Sequence, residues 1–209
     1  MAHAYDEKYF EKRTYREIRN SPRNRKRIRE VLRYETSGRL LEIGCAQGGF
    51  LEQAERYFDV EGADISEYAV RSLRNRLGSR VYPCDIEKDT LRPGAYNVIV
   101  AFNVLEHLKD PAAALTKIRS GLRPGGLFFG SVPNNGGPVG RAATLVGNVL
   151  DRSHCSTWTP RRWESAFGAA GFSGVEFFGE VNRGRNHGFY VRRPLWKYVS
   201  ICLVFACRA

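Results

Sequence analysis

The chain has 209 residues, which suits one domain with a complete hydrophobic core. Its 33 Lys and Arg outnumber its 22 Asp and Glu, and the formal net charge of +11 favours an acidic partner or substrate. Residues 199–206 are apolar but too few to span a bilayer, and charged residues interrupt the first ten positions, so neither a membrane-spanning nor a secreted chain is expected.

The five cysteines are odd in number and lie at positions 45, 84, 155, 202 and 207. No pair has the spacing of a zinc site, and acidic and histidine residues are not grouped at ligand spacing, so we predict no metal. Cys45, Cys84 and Cys202 stand among apolar neighbours and are predicted to be small core residues. A reducing, cytoplasmic location follows from this pattern.

Residues 1–37 are predicted to form an N-terminal helical cap on a domain of residues 38–209. The segment is strongly basic, with most of its arginines between positions 13 and 33. Ser21 and Pro22 predict the start of its second helix, as N-cap and first-turn proline. The basic residues either form a solvated helix face or hold an anionic group of a substrate; the sequence leaves both open.

The next segment is an apolar strand that ends in a glycine turn. Leu40, Leu41 and Ile43 indicate a buried strand, and Gly44 and Gly48 let the following backbone come close to a ligand. A strand, a glycine turn and a helix start form a nucleotide-binding arrangement.

Two carboxylates narrow the choice of ligand. Glu42 lies at the strand end, where it would repel a pyrophosphate but attract a sulfonium or ammonium group. Asp64 ends the next apolar segment, where an acidic side chain can bind ribose hydroxyls. A cationic nucleoside fits this pair better than NAD does.

The run Leu41-Glu42-Ile43-Gly44-Cys45-Ala46-Gln47-Gly48 resembles the first motif of class I S-adenosylmethionine-dependent methyltransferases. The resemblance extends over about residues 38–172. Its one departure is Ala46, where the family often has a third glycine, and we expect only a modest change in the loop.

The resemblance implies S-adenosylmethionine as cofactor, with S-adenosylhomocysteine as product. It places Asp85 at the adenine amine, Ile86 on the adenine ring, and Asn103 and Val104 beside the methionine part. The complete set of cofactor-binding residues that it implies is Glu42, Gly44, Cys45, Ala46, Gly48, Asp64, Ile65, Asp85, Ile86, Asn103 and Val104.

The alternation of strands and helices from Gly38 onward predicts an α/β fold. We expect a single doubly wound Rossmann-like domain with helices on both faces of a mostly parallel, seven-stranded sheet whose last strand is antiparallel. The predicted strands are residues 40–43, 60–64, 80–83, 96–102, 127–132, 175–181 and 198–206. Residues 123–126 are a predicted tight turn and 182–193 a hairpin loop or anion site.

Residues 133–153 are predicted to be a lid insertion. Its first residues form a glycine-rich loop, and Leu145, Val146, Val149 and Leu150 form an apolar stripe behind it. An insertion at the carboxyl edge of a parallel sheet lies over the ligand crevice. Ordinary helix packing is the alternative.

Two histidines are candidate general bases. His107 follows the fourth strand and His154 follows the lid. A base is needed only if the acceptor carries a proton that must be removed. Either histidine could instead hold its loop in place.

We therefore predict a methyltransferase that acts on a small-molecule or lipid-linked, acidic acceptor. The alternatives are an RNA- or protein-directed methyltransferase that uses the basic surface and an NAD-dependent oxidoreductase. Nucleic acid is not favoured, because the chain lacks the Asp/Asn-Pro-Pro-aromatic tetrad usual in amino-directed DNA enzymes. Peripheral membrane contact, and a monomer or a homodimer, remain open.

Overall fold

A computed structural model describes residues 21–150, 154–183, 187–193, 195 and 199–209. The predicted helical residues before Ser21 lie outside this range. The following helix, α1, spans Pro22–Val31 and begins as predicted, because the Ser21 hydroxyl accepts from the Asn24 amide and Pro22 occupies the first turn.

The described residues form one sheet of eight strands with helices on both faces. The strands are β1 Arg39–Ile43, β2 Asp59–Asp64, β3 Val81–Pro83, β4 Tyr96–Phe102, β5 Leu122–Pro133, β6 Ser173–Arg183, β7 His187–Val191 and β8 Cys202–Arg208. Their order across the sheet is β3-β2-β1-β4-β5-β8-β6-β7. The first five strands are parallel, whereas β8, β6 and β7 pair antiparallel with their neighbours. The predicted α/β class is confirmed.

The strand number differs from the seven predicted. The additional strand, β7, lies inside residues 182–193, which were predicted to be a hairpin loop or an anion site. Glycine and arginine dominate that stretch, but Phe189, Tyr190 and Val191 are good strand formers. Antiparallel pairing with β6 makes this short run a strand.

The other helices of the described residues are α2 Leu51–Ala54, α3 Glu67–Leu77, α4 Pro111–Gly121, α5 Pro138–Leu150 and α6 Pro160–Ala169, with short 3-10 turns at Gly78–Arg80 and Leu105–His107. Asp110 and Thr159 cap α4 and α6 ahead of a proline. No helix of the described residues is long and apolar enough to cross a membrane.

The predicted turn at residues 123–126 is a bulge within β5. Pairing with β4 jumps from Tyr96–Leu122 to Val98–Leu127, so the intervening β5 residues protrude, and Gly125 takes a φ of +73°. β5 begins at Leu122, directly after the last residue of α4. The bulge replaces a separate turn between helix and strand.

Both faces of the sheet are buried, as a doubly wound fold requires. Leu41 and Ile43 belong to one apolar cluster with α4 and α6, and Leu40 belongs to another with α1, α2 and α3. Cys45, Cys84 and Cys202 are buried and unpaired, as predicted.

The site lies at the carboxyl edge of the parallel strands. Strands β1 and β4 are neighbours, but β2 and β3 lie on one side of them and β5 on the other. The chain reverses direction across the sheet between β1 and β4, and such a switch point opens a crevice at the carboxyl ends of the strands. The turns after β1, β2, β3 and β4 all reach this edge.

Gly130, in the middle of β5, has no room for a side chain. A Cβ there would lie 2.1 Å from the Ala101 carbonyl oxygen, which belongs to the adjacent strand backbone and cannot move away. We predict that Gly130→Ala lowers the free energy of unfolding by about 3 kcal/mol, the upper part of the range for overpacking. Urea unfolding followed by circular dichroism measures this.

Gly168 in α6 is the matched control, because nothing lies within 4 Å of its added Cβ. Gly168→Ala should stabilise the protein by about 0.5–1 kcal/mol through helix propensity. Equal effects of the two substitutions would contradict this account of β5.

Candidate functional site

The turn after β1 depends on backbone conformations that favour glycine. Gly44 and Gly48 both have a φ of +73°. The Gly44 and Cys45 amides donate to the Ala63 carbonyl at 2.8 and 3.2 Å, which ties the turn to the end of β2. A Cβ on Gly44 would lie 2.5 Å from Val104 Cγ2. Gly44 therefore lets the turn after β1 contact the turn after β4.

Ala46, at the position of the missing third glycine, also has a positive φ, of 46°. This conformation is costly for alanine. The Ala46 amide donates to Asp64 Oδ2 at 2.8 Å, and this charge-assisted hydrogen bond offsets part of the cost. The loop therefore keeps its left-handed residue without a glycine.

Asp64 joins two segments of the site. Its second oxygen, Oδ1, accepts from the Ser66 amide at 2.8 Å, and its side chain is buried. Burial raises the pKa of Asp64, although the two amides oppose this shift. Asp64 thus holds the glycine turn in place, in addition to the ribose contact that the sequence predicts. Ile65, the next residue, is half-buried.

Glu42 is a buried carboxylate. Its Oε2 atom is fully covered and has no hydrogen-bond partner among the described residues. Burial raises the pKa of Glu42 well above its usual range, against the opposing effect of nearby Arg27. A cationic group that reached Glu42 would restore its favourable ionisation. The buried carboxylate at the end of β1 therefore fits a cationic ligand.

Arg27 is a site residue that was predicted only as one member of the basic N-terminal segment. Its guanidinium lies over the Phe102 ring, 4.0 Å from the ring centre, at the end of β4. Burial and neighbouring Arg23 lower the pKa of Arg27. Arg23, Lys26 and Arg27 are three and four positions apart, so they lie on one face of α1. This spacing was the sequence signal that could have identified Arg27 as a site residue.

The positively charged side chains of α1 outnumber the single carboxylate that they face, Glu180. Glu180 in β6 is buried and binds Lys26 at 2.6 Å and Arg23 at 3.3 Å. Burial opposes ionisation of Glu180, but the cations prevail and lower its pKa to about 2. Arg27 and two paired cations therefore surround one ionised carboxylate, which leaves a positive field beside the crevice.

The residues after β3 differ in exposure. Asp85 is half-buried, and its oxygens accept from Lys88 Nζ at 2.9 Å and the Glu87 amide at 3.1 Å. Burial opposes ionisation of Asp85, but these contacts outweigh it and lower the pKa. Ile86 lies within an apolar cluster of the core. Contact of either residue with adenine stays a prediction.

Asn103 begins the turn after β4 with a φ of 56°, a conformation that asparagine tolerates. Its amide donates to the Ser131 carbonyl at 2.8 Å, and its Oδ1 accepts from the Ser131 hydroxyl at 3.3 Å. These bonds to β5 orient the turn, so Asn103 and Val104 lie opposite the glycine turn.

His107 and His154 lie together, as two candidate bases of one site would. Their ring centres are 4.8 Å apart, and one ligand atom from each, with one from buried Glu106, fall within 4.8 Å of one another. The Glu106 carbonyl accepts from the Cys155 and Ser156 amides, both at 2.9 Å, which joins the two loops. These three side chains could hold a metal ion. Their spacing in the sequence did not indicate such a group, because His154 is distant from the other two in the chain.

Comparisons with known proteins agree with this geometry. A family model described as a methyltransferase domain matches residues 9–176. The ubiquinone biosynthesis O-methyltransferase of Idiomarina loihiensis is 30% identical over 132 residues, which cover 59% of this chain and 51% of that protein. The chain therefore spans about half the length of the curated relatives it matches.

Solved structures share the fold. A S-adenosylmethionine-dependent methyltransferase of Thermotoga maritima, titled a possible histamine N-methyltransferase, aligns with a TM-score of 0.73 at 16% identity over 91% of this chain and 90% of that one. A S-adenosylmethionine-dependent methyltransferase of Archaeoglobus fulgidus aligns with a TM-score of 0.68 at 19% identity over 92% and 96%. The family match covers well over half of the chain, so this protein belongs to the methyltransferase domain family, and the predicted class I S-adenosylmethionine-dependent type is confirmed.

Proposed function

We propose that this chain transfers the methyl group of S-adenosylmethionine to a hydroxyl of a small-molecule, acidic acceptor, either free or lipid-linked. The buried Glu42 carboxylate beside the glycine turn carries the proposal, because a cationic nucleoside is the ligand that this turn accommodates best. The O-methyltransferase relatives support a small acceptor and a hydroxyl as its reacting group. Membership of a methyltransferase family argues against an NAD-dependent oxidoreductase.

Different residues of the proposed cofactor site would contact different parts of S-adenosylmethionine. Glu42 would face the cationic methionine part, and Asp64 would accept from ribose hydroxyls while it holds the turn. Asp85 and Ile86 would meet the adenine, and Asn103 and Val104 would close the crevice from β4. Gly44, Cys45, Ala46, Gly48 and Ile65 would line it with backbone.

Bound S-adenosylmethionine supplies an electrophilic methyl group on a sulfonium sulfur. The task left to the protein is alignment of the acceptor and removal of its proton. His107 follows β4, and its ring centre lies 4.8 Å from that of His154, so either imidazole would be placed to accept the hydroxyl proton of the acceptor. Glu106, buried beside them, would stabilise the resulting imidazolium.

The N-terminal cap of residues 1–37 and the lid of residues 133–153 would enclose the acceptor. Arg27 and its neighbours in α1 provide the positive field that an acidic acceptor requires. The chain would act in the cytoplasm, as the reduced cysteines suggest.

Removing the Asp64 carboxylate tests the cofactor assignment. Asp64→Ala loses a charge-assisted bond to ribose and the bond to the Ala46 amide, so the affinity for S-adenosylmethionine should fall by about 1.5–3 kcal/mol. Isothermal titration calorimetry measures the change. Exposed Glu67→Ala removes a carboxylate three positions away and should leave the affinity within about twofold; equal losses in both variants would refute the assignment.

Glu42 should make cofactor affinity depend on pH. Its raised pKa keeps the carboxyl protonated above the usual range, and a bound cation favours the ionised form. Affinity should therefore rise as pH increases through that raised pKa, with release of a proton on binding. Calorimetry in buffers of different ionisation enthalpy measures the proton release.

Glu42→Gln should abolish this proton release and weaken binding by about tenfold or more near neutral pH. Exposed Glu55→Gln is the control and should keep the wild-type pH profile. Proton release that persists in Glu42→Gln would show that another group responds to the ligand.

Substitutions in the histidine pair should lower turnover without changing the affinity for the cofactor. His107→Gln or His154→Gln should lower kcat by about a hundredfold or more, the usual contribution of a general base, while the dissociation constant of S-adenosylmethionine stays within about twofold. The assay transfers labelled methyl groups to a panel of small hydroxylated acids.

Exposed Thr157→Ala, in the same loop as His154, is the control and should retain full turnover. The same panel includes bulk RNA and a denatured protein as acceptors. Labelling of RNA or protein in place of the small acids would overturn the proposed substrate class.

A further inference from the structure

Helix α5 turns its apolar side chains to solvent. Val139, Leu145 and Val146 are 49%, 68% and 62% exposed, whereas Gly140 and Thr144 face the protein and are buried. A surface helix of a globular protein normally has the opposite orientation. The apolar stripe predicted from the sequence is therefore at least partly on the outside of the molecule.

Close backbone contact fixes the helix in this orientation. A Cβ on Gly140 would lie 2.0 Å from the Asn134 carbonyl oxygen and 3.3 Å from that of Ser200. Buried Asn134 donates from its side chain to the Ser200 carbonyl at 2.7 Å. Rotating α5 to bury Leu145 would drive other side chains into this contact, so the apolar face stays outside.

The same contact joins α5 to a second exposed apolar segment. The Asn134 amide donates to the Ile201 carbonyl at 3.1 Å. Beside this junction Val199 and Ile201 are 42% and 44% exposed. We define the outer face as these two residues together with Val139, Leu145 and Val146. It groups five exposed aliphatic side chains from two segments, which marks an interaction surface.

Exposed cations lie in both segments that carry the outer face. Arg141 of α5 is exposed, as is Arg193 in the segment that leads to Val199. Neither α5 nor residues 192–201 contain Asp or Glu, and the chain as a whole has a formal net charge of +11. A second copy of this chain would bring two basic surfaces together, which costs energy. An apolar surface with a basic border instead fits a negatively charged lipid layer.

We propose that the outer face docks on the surface of an anionic bilayer, with its aliphatic side chains among the acyl chains and its arginines at the headgroups. Such a contact is interfacial and needs no membrane-spanning helix. It would bring the crevice, whose lid contains α5, to the place where a lipid-linked acceptor resides. The contact is independent of whether the proposed methyl transfer is correct.

Vesicle co-sedimentation of the full chain without cofactor or acceptor tests the proposal. The protein should bind vesicles of phosphatidylglycerol and phosphatidylcholine in equal parts, and bind pure phosphatidylcholine much more weakly. The double variant Leu145→Gln with Val146→Gln should lower the partition coefficient by about tenfold or more, because two aliphatic side chains no longer enter the lipid. Arg141→Gln should lower it by about fivefold, and added salt should act in the same direction.

Tyr57→Gln is the control, since Tyr57 is an exposed large side chain outside the outer face, in the turn after α2. It should bind vesicles like the wild type, and thermal melts should confirm that every variant is folded. Absence of vesicle binding, or equal binding by the double variant, would overturn the proposal. So would light scattering that shows a dimer for the wild type and a monomer for the double variant without vesicle binding, because the outer face would then be a protein interface.

Discussion

The Ala46 and Ser66 amides donate to the two oxygens of the Asp64 carboxylate, each at 2.8 Å, and the rest of the site depends on this arrangement. One bond holds the turn after β1 and the other holds the entry to α3, so one side chain sets the distance between the turns after β1 and β2. Without it, Ala46 would have little reason to keep a left-handed conformation. The loop would then lose the shape that brings backbone near a ligand.

The site contains charges that are unfavourable for the folded protein alone. Glu42 is buried, its Oε2 atom has no hydrogen-bond partner among the described residues, and burial also lowers the pKa of Arg27. Both groups would be more stable in water. Groups held in unfavourable ionisation states are typical of binding sites, because a ligand of the right charge removes the cost. The same carboxylate that costs stability in the free protein would thus provide selectivity for a cation.

The proposed acceptor side of the site depends on a contact between loops. The backbone of Glu106 anchors the segment that carries His154, so two histidines distant in the chain come within 4.8 Å of each other between ring centres. A second backbone contact, between Gly140 of α5 and Asn134, decides which face of α5 is exposed. Short backbone contacts thus position both the candidate bases and the outer face.

Much of this protein follows from local sequence. The alternation of apolar strands with capped helices predicted the α/β fold, and β4 has the bounds predicted for it, because strand and helix periodicity are local properties. The glycine turn with Glu42 and Asp64 predicted the ligand class, since parallel strand ends must meet at one edge. Only the tertiary structure decided the rest. β7 is a strand because β6 offers it an edge to pair with. Arg27 reaches Phe102 because α1 packs on the same apolar cluster as β4. Helix α5 exposes Leu145 because Gly140 admits a neighbouring backbone. Each outcome depends on contacts between residues far apart in the chain, which periodicity and spacing do not encode.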